Sequence, residues 1–338
     1  MVFKNFVFCK YAKHTLEHLK YIYGREVRIE VPWGFVAGKW YGPVNKRPIL
    51  TLHGWMDNCG SMERLISNIN KHETSFLSID FPGHGLSSRF PNSMYYDYKD
   101  YVFTVFYLIE QFQWSKVSLM GHSLGSGVAY MYSMLFPEKV DYLICLETIK
   151  PPIRENNDRC MANAIKQFFK YDAINRSGVE PRCYTYLELK LRYIKLGIHP
   201  QLVHYILDRN LVTSKNIKGK FYFGVDSRVK CHGFWNFPQN ESIKYAQNMS
   251  FPIFIGKCND ENYWENPKYY KEVLEVNQKF SKDCQFHLVD GCHFEHINNP
   301  DKYGEKIVKF LDKHDDMDRS WKNCIKFVNK DAKNKMIG

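Results

Sequence analysis

The chain has 338 residues, 44% hydrophobic and 16% aromatic, with 47 basic against 36 acidic side chains and a formal net charge of +11. That length fits one large α/β domain with an insertion, and the apolar content supplies a packed core and excludes intrinsic disorder. The basic residues are spread along the chain, which excludes a dedicated nucleic-acid face, and ten cysteines without a CxxC pair exclude a disulfide framework and read as free thiols in a reducing, cytoplasmic compartment.

In chain order, residues 1–25 form an N-terminal extension expected to be helical. Its apolar run is too short, and lacks the cleavage site, for a signal peptide. No stretch reaches the ~18 apolar residues of a membrane span, so no integral membrane segment is expected. Residues 26–42, EVRIEVPWGFVAGKWYG, read as two β segments turned at Pro32–Gly34. A strand at 48–52 ends in the loop LHGWMDNCGSM, and SMERLISNINK is helical. A strand at 75–80 runs into the loop DFPGHGLSS. DYKDYVFTVFYLIEQF repeats apolar residues at helical spacing, VSLM is a buried strand, residues 124–136 a helix, and VDYLICLE a further strand.

From 151 to 248 the rhythm turns helical, as in YTYLELKLRYIKLG and PQLVHYILDRNL. Strands resume with FPIFIGK at 251–257, a helix near 267–277, QFHLVDG at 285–291 and a last helix through PDKYGEKIVKFLDKH. Strands alternating with helices predict an α/β core, residues 26–150 and 249–313, built on a mainly parallel sheet with helices on both faces. The helical block is expected to cap the carboxyl edge of that sheet. Residues 314–338 read as a basic C-terminal tail.

The stretch VSLMGHSLGSGVAYMYSML places Ser123 where a buried strand turns at once into a helix. Such a turn strains the central residue and demands small neighbours two positions away, here Gly121 and Gly125. The result is a nucleophile elbow, with His122 and Ser123 at its tip. The blander alternative, a glycine turn whose serine caps the helix, does not account for the preceding strand.

A serine hydroxyl needs a base, and the base an orienting acid. The base is expected after the last strand, where VDGCHFEHINNP offers His293, with His296 supporting the loop. The acid is open. After FPIFIG the sequence reads GKCNDENYWE, with Asn259 three residues past the glycine and Asp260 one step later. Glu147, at the end of LICLETIKPP, is the other choice. The HGW loop brings backbone N–H groups near the nucleophile, so Trp55 and Leu124 are expected to form an oxyanion hole, with His53 bracing the loop and Asp80 and His84 held nearby. His53, His84 and His122 have no usual zinc spacing, so no metal and no cofactor are expected.

LHGWMDN, DFPGHGLSS, GHSLGSG and GCHFEHINNP together resemble the α/β-hydrolase superfamily over about residues 26 to 313. The chain is most similar to the kraken-type serine hydrolase-like proteins, through LHGWMDNCGSM, the segment 184–211 and FYFGVDSRVK. The resemblance implies an eight-stranded core sheet, a helical cap, and Ser123 and His293 as nucleophile and base. The family's substrates are poorly defined, so the resemblance supplies none; a serine nucleophile under a cap that narrows access points to hydrolysis of a small ester or acyl substrate, with an apolar group favoured by the aromatic cap. The displaced acid departs from the family pattern and keeps a second reading open, a weak or inactive hydrolase fold serving as a ligand-binding or scaffold module. A serine at 123 argues against epoxide hydrolases and dehalogenases, which use an aspartate. Neither the substrate nor the oligomeric state follows from the sequence.

Overall fold

The computed structural model describes residues 24–70, 74–153, 157–231, 237–260, 263–315, 319–322 and 325–328. The expected extension 1–25 lies outside them except for its last two residues, and Arg25 already opens a strand.

The strands are β1 (Arg25–Val31), β2 (Gly34–Tyr41), β3 (Ile49–Leu52), β4 (Phe76–Ile79), β5 (Val117–His122), β6 (Val140–Leu146), β7 (Leu211–Thr213), β8 (Phe221–Phe223), β9 (Ile253–Cys258), β10 (Cys284–Val289) and β11 (Lys326–Phe327). The helices are α1 (Glu63–Ile69), α2 (Tyr98–Gln111), α3 (Leu124–Leu135), α4 (Asn157–Ser177), α5 (Tyr186–Lys195), α6 (His204–Asn210), α7 (Gln239–Ala246), α8 (Pro267–Phe280), α9 (Glu295–Asn298) and α10 (Asp301–His314). One sheet runs β10-β9-β6-β5-β3-β4-β2-β1-β11. Its six strands from β10 to β4 are parallel, and β2, β1 and β11 continue it antiparallel.

The central strands are apolar on both sides because both faces are covered. Along β6, Leu143 and Cys145 enter one core and Ile144 and Leu146 the other. On one side the sheet packs against α2 and α3. On the other, α1 presents Leu65, Ile66 and Ile69, and α10 presents Tyr303, Ile307, Phe310 and Leu311. These sit at helical spacing, and each large side chain stabilises the fold by roughly 1.5–3 kcal/mol on burial.

Among the described residues the sheet has nine strands in place of the expected eight. The ninth comes from the stretch read as a basic tail, as Lys326–Phe327 pair with β1. What holds this segment is apolar and ionic at once. Trp321 stacks on Trp40 at 6.0 Å, and the buried Arg319 donates to Ser118 Oγ at 2.6 Å and Tyr142 Oη at 2.8 Å. The rest of the tail, 329–338, lies outside the described residues.

The inserted block contains α4 to α7 and also a two-stranded hairpin, β7–β8. Around Leu189, Tyr193, Val203, Ile206 and Leu207 it forms a small core that Ile297 of α9 joins. It is bolted to the sheet domain by buried charge. Arg209 reaches Asp80 at 2.7 Å and Glu26 at 2.7 Å, and Arg228 pairs with Asp226 at 2.8 Å while donating to the carbonyls of Phe90 and Pro91.

Candidate active site

β5 delivers Ser123. Its backbone sits at φ 52°, ψ −116°, a region that non-glycine residues seldom adopt, and its N–H donates to the Leu146 carbonyl at 2.9 Å. The flanking glycines make the turn sterically feasible. A Cβ on Gly121 would lie 2.4 Å from the Gly125 carbonyl carbon, and one on Gly125 2.2 Å from the Leu52 oxygen. Ser123 therefore stands half-buried at the sheet edge, with α3 starting at the next residue.

Above it lies a cavity of about 630 Å³ whose lining includes Trp55, His122, Ser123, Leu124, Asp260 and His293. Ser123 and His293, 170 residues apart in sequence, thus share one cavity. Trp264 lies edge-on to the His293 ring at 5.6 Å, and its backbone too is left-handed, at φ 59°. Arg192, Tyr193, Lys195 and Leu196 bring the inserted block over the opening.

The two carboxylates left open by the sequence take different positions. Glu147 follows β6 with φ 73°, is buried, and places Oε2 3.6 Å from His293 Nδ1. That distance is ion-pair reach, longer than a hydrogen bond. Glu147 also accepts from Tyr303 Oη at 2.6 Å and from the Cys258 N–H at 3.0 Å. Burial by itself raises its carboxyl. His293, Lys257 and Tyr303 outweigh that and bring it down to about 2, so Glu147 is ionised at neutral pH. Asp260 sits at the cavity wall, 2.7 Å from Lys257 Nζ.

Lys257 was not singled out by the sequence. It is buried on β9, 3.3 Å from Glu147 Oε2, and donates to the Cys258 carbonyl at 3.1 Å. Burial lowers its pKa, but the two carboxylates more than restore it. Tyr303, from α10, was likewise missed. A lysine two residues past the middle of an apolar strand was the available signal for the first. Nothing local marks the second.

Trp55 and Leu124, the expected oxyanion donors, both line the cavity. Leu124 opens α3, so its N–H has no acceptor within the helix. Trp55 follows β3 beside the left-handed Met56, and its indole N–H donates to the Val229 carbonyl in the inserted block at 3.0 Å. His53 braces this loop as expected. Its Nδ1–H donates to the Gly54 carbonyl at 2.7 Å, and Nε2 accepts from the Phe81 N–H at 3.0 Å. Burial brings its pKa down to about 4. Asp80 and His84 are not among the residues lining the cavity. Asp80 holds the loop at Cys59 and Leu86 and anchors Arg209.

His53 and His84 do not join His122 in a ligand set. His122 instead meets two residues that the sequence did not group with it, Asp57 and His296. One ligand atom from each of these three lies within 4.8 Å of the others, and all three residues are buried. Burial, with His293 nearby, lowers His122 to about 3. Burial pushes the Asp57 carboxyl up to about 7, against the pull of Ser61.

Residues 47–201 match the family described as the alpha/beta hydrolase fold. The chain is 30% identical to a "Probable serine hydrolase" of Drosophila melanogaster over 85% of its own length and 87% of the relative's. It is 38% identical to the human "Serine hydrolase-like protein 2", covering 85% of this chain and 93% of that one. Among solved structures, a thioesterase domain from the curacin biosynthetic pathway superposes with a TM-score of 0.68 at 16% identity, covering 85% of this chain and 99% of that chain, a likeness of fold alone.

Proposed function

The chain belongs to the serine hydrolase-like group of the α/β-hydrolase superfamily, and on that premise we propose that it cleaves a small, apolar ester-type substrate through an acyl-enzyme on Ser123. One observation carries this reading. The strained Ser123 and His293 open onto the same cavity, and the buried, ionised Glu147 lies behind the His293 ring. In the proposed reaction His293 Nε2 takes the Ser123 proton as Oγ attacks the acyl carbon. The N–H groups of Trp55 and Leu124 receive the oxyanion. The imidazolium returns its proton to the leaving alcohol, then accepts one from the water that releases the acid. Glu147 is the orienting acid and Asp260 a partner of Lys257. The apolar lining, with Trp55, Met56, Tyr98, Leu124, Tyr193 and Phe223, supports an apolar acyl or alcohol group. The eight described cysteines, all free thiols, support a reducing, cytoplasmic setting.

The second reading, a weak hydrolase that mainly binds its ligand, draws on one feature. Lys257 shares the Glu147 carboxylate with His293, whose Nδ1 stands at 3.6 Å. A fluorophosphonate probe and an ester panel separate the two. Labelling and turnover that disappear in Ser123→Ala support the enzyme, with a fall of roughly 10³-fold or more. No labelling of folded wild-type protein supports the binder, and hydrolysis that survives Ser123→Ala overturns the mechanism.

A further inference from the structure

Buried polar groups without partners are costly, about 1–3 kcal/mol each, and are uncommon in native folds. Three such atoms converge behind the nucleophile. His122 Nδ1 and both ring nitrogens of His296 are buried and have no hydrogen-bond partner. The two rings lie close and tilted to each other, with centroids 3.7 Å apart and planes at 31°. His122 has its tautomer set from outside the cluster. Its Nε2 faces the His293 carbonyl at 2.9 Å, and a carbonyl only accepts, so Nε2 carries the hydrogen and Nδ1 the lone pair. A histidine whose second nitrogen donates to a backbone carbonyl is in the state in which imidazole binds a metal.

Asp57 completes the set. A side chain on Gly54 would place its first carbon 3.0 Å from His122 Nδ1 and 3.2 Å from Asp57 Oδ2. The bare glycine thus leaves open the space onto which both ligand atoms face. Gly54, Asp57 and His122 also line the cavity, which provides a path of entry.

We propose that Asp57, His122 and His296 bind one divalent transition-metal ion of the zinc class at the floor of the cavity, and that the bound ion represses the hydrolase. The donor set of two imidazoles and a carboxylate suits zinc or copper(II), and leaves a coordination position for water. Zinc–nitrogen bonds of about 2.0–2.1 Å require the ligand atoms to draw in from their 4.8 Å limit. The orphaned ring nitrogens have no hydrogen bonds to break as they move. Repression follows from position. Drawing His122 in around an ion moves the residue whose Nε2–H holds the His293 backbone carbonyl at 2.9 Å and whose ring lies 4.7 Å from that of His293, and so displaces the base from the nucleophile. Repression rests on the hydrolase reading above, whereas binding does not.

Metal-stripped full-length protein is titrated with zinc chloride by calorimetry and with cobalt(II) by absorption spectroscopy. The expected result is one site per chain, visible d–d bands without sulfur-to-cobalt charge transfer, and at least tenfold weaker binding in both Asp57→Asn and His296→Gln. Ester hydrolysis is expected to fall at least tenfold as the zinc site fills in wild type, whereas in His296→Gln the rate with zinc divided by that variant's own zinc-free rate is expected to stay near one. Three outcomes overturn the site: no stoichiometric binding to folded wild type, binding that survives both substitutions, or a sulfur charge-transfer band showing ligation by a cysteine such as Cys258 or Cys292. Full hydrolysis by the zinc-loaded protein overturns repression alone. If no ester is turned over at all, calorimetry and the cobalt spectrum still decide the site.

Discussion

Two polar clusters flank the imidazole of His293, and they are built on opposite terms. On one side Lys257 is clasped by Glu147 and Asp260, with Tyr303 and the Cys258 N–H completing the Glu147 shell. Nearly every polar atom there has a partner of opposite character. On the other side Asp57, His122 and His296 crowd together, and three of the four ring nitrogens have none. The first cluster fixes a charge in place and needs nothing further. The second keeps donor atoms buried at a cost to stability, which fits a site kept for a ligand.

The contrast can be broken most severely at Glu147. Glu147→Gln keeps the shape and removes the charge behind His293, and kcat on an ester is expected to fall about 10⁴-fold while the circular dichroism spectrum holds. An effect below tenfold would reassign the acid. Lys257→Met leaves two carboxylates facing each other without their cation. Denaturant unfolding is expected to show a loss of about 3–5 kcal/mol, as when one partner of a buried ion pair is removed.

Acid tests the same cluster without mutation. The Glu147 carboxyl titrates at about 2 in the fold, against an ordinary 4.5. The unfolded chain therefore takes up that proton first as pH falls. The contribution of this group, roughly 3 kcal/mol, is complete above pH 4.5 and is lost as pH drops towards 2. Unfolding free energies measured across this window should show that loss in wild type, and a shallower one in Glu147→Gln.

The second cluster should respond with the opposite sign. Replacing an orphaned buried imidazole by an apolar side chain removes an unmet polar demand, so His296→Leu in metal-free buffer is expected to raise stability by about 1 kcal/mol, read as an increase in Tm. A destabilisation of similar size would mean that the His296 nitrogens are satisfied in solution. The smallest effect is expected at Asp260→Asn, where kcat should change less than tenfold, as the proposed assignment of the orienting role to Glu147 requires.

Much of the site was legible because it is written locally. Glycines two residues either side of Ser123, a strand before it and a helix after it define the elbow within a dozen residues, and the HGW loop and His293 stand at the ends of recognisable strands. The ninth strand was not legible. Residues 326–327 carry no strand pattern, and their pairing goes with contacts made far away in sequence, Trp321 and Phe327 against Trp40 and Arg319 against Ser118. The acid was undecidable for the same kind of reason. Glu147 and Asp260 both follow strand ends, and what separates them is how β6, β9 and α10 meet, with Lys257 drawn between the two carboxylates and Tyr303 folded onto one.

The order of apolar and glycine residues along the chain therefore determined the α/β architecture, the elbow at Ser123 and the loop that carries His293, since each depends on neighbours in sequence. Only the tertiary structure decided which carboxylate lies behind His293, and that Asp57, His122 and His296 share one buried space. Those arrangements are contacts between segments far apart in the chain, and desolvation of the charged and polar groups there depends on everything packed around them.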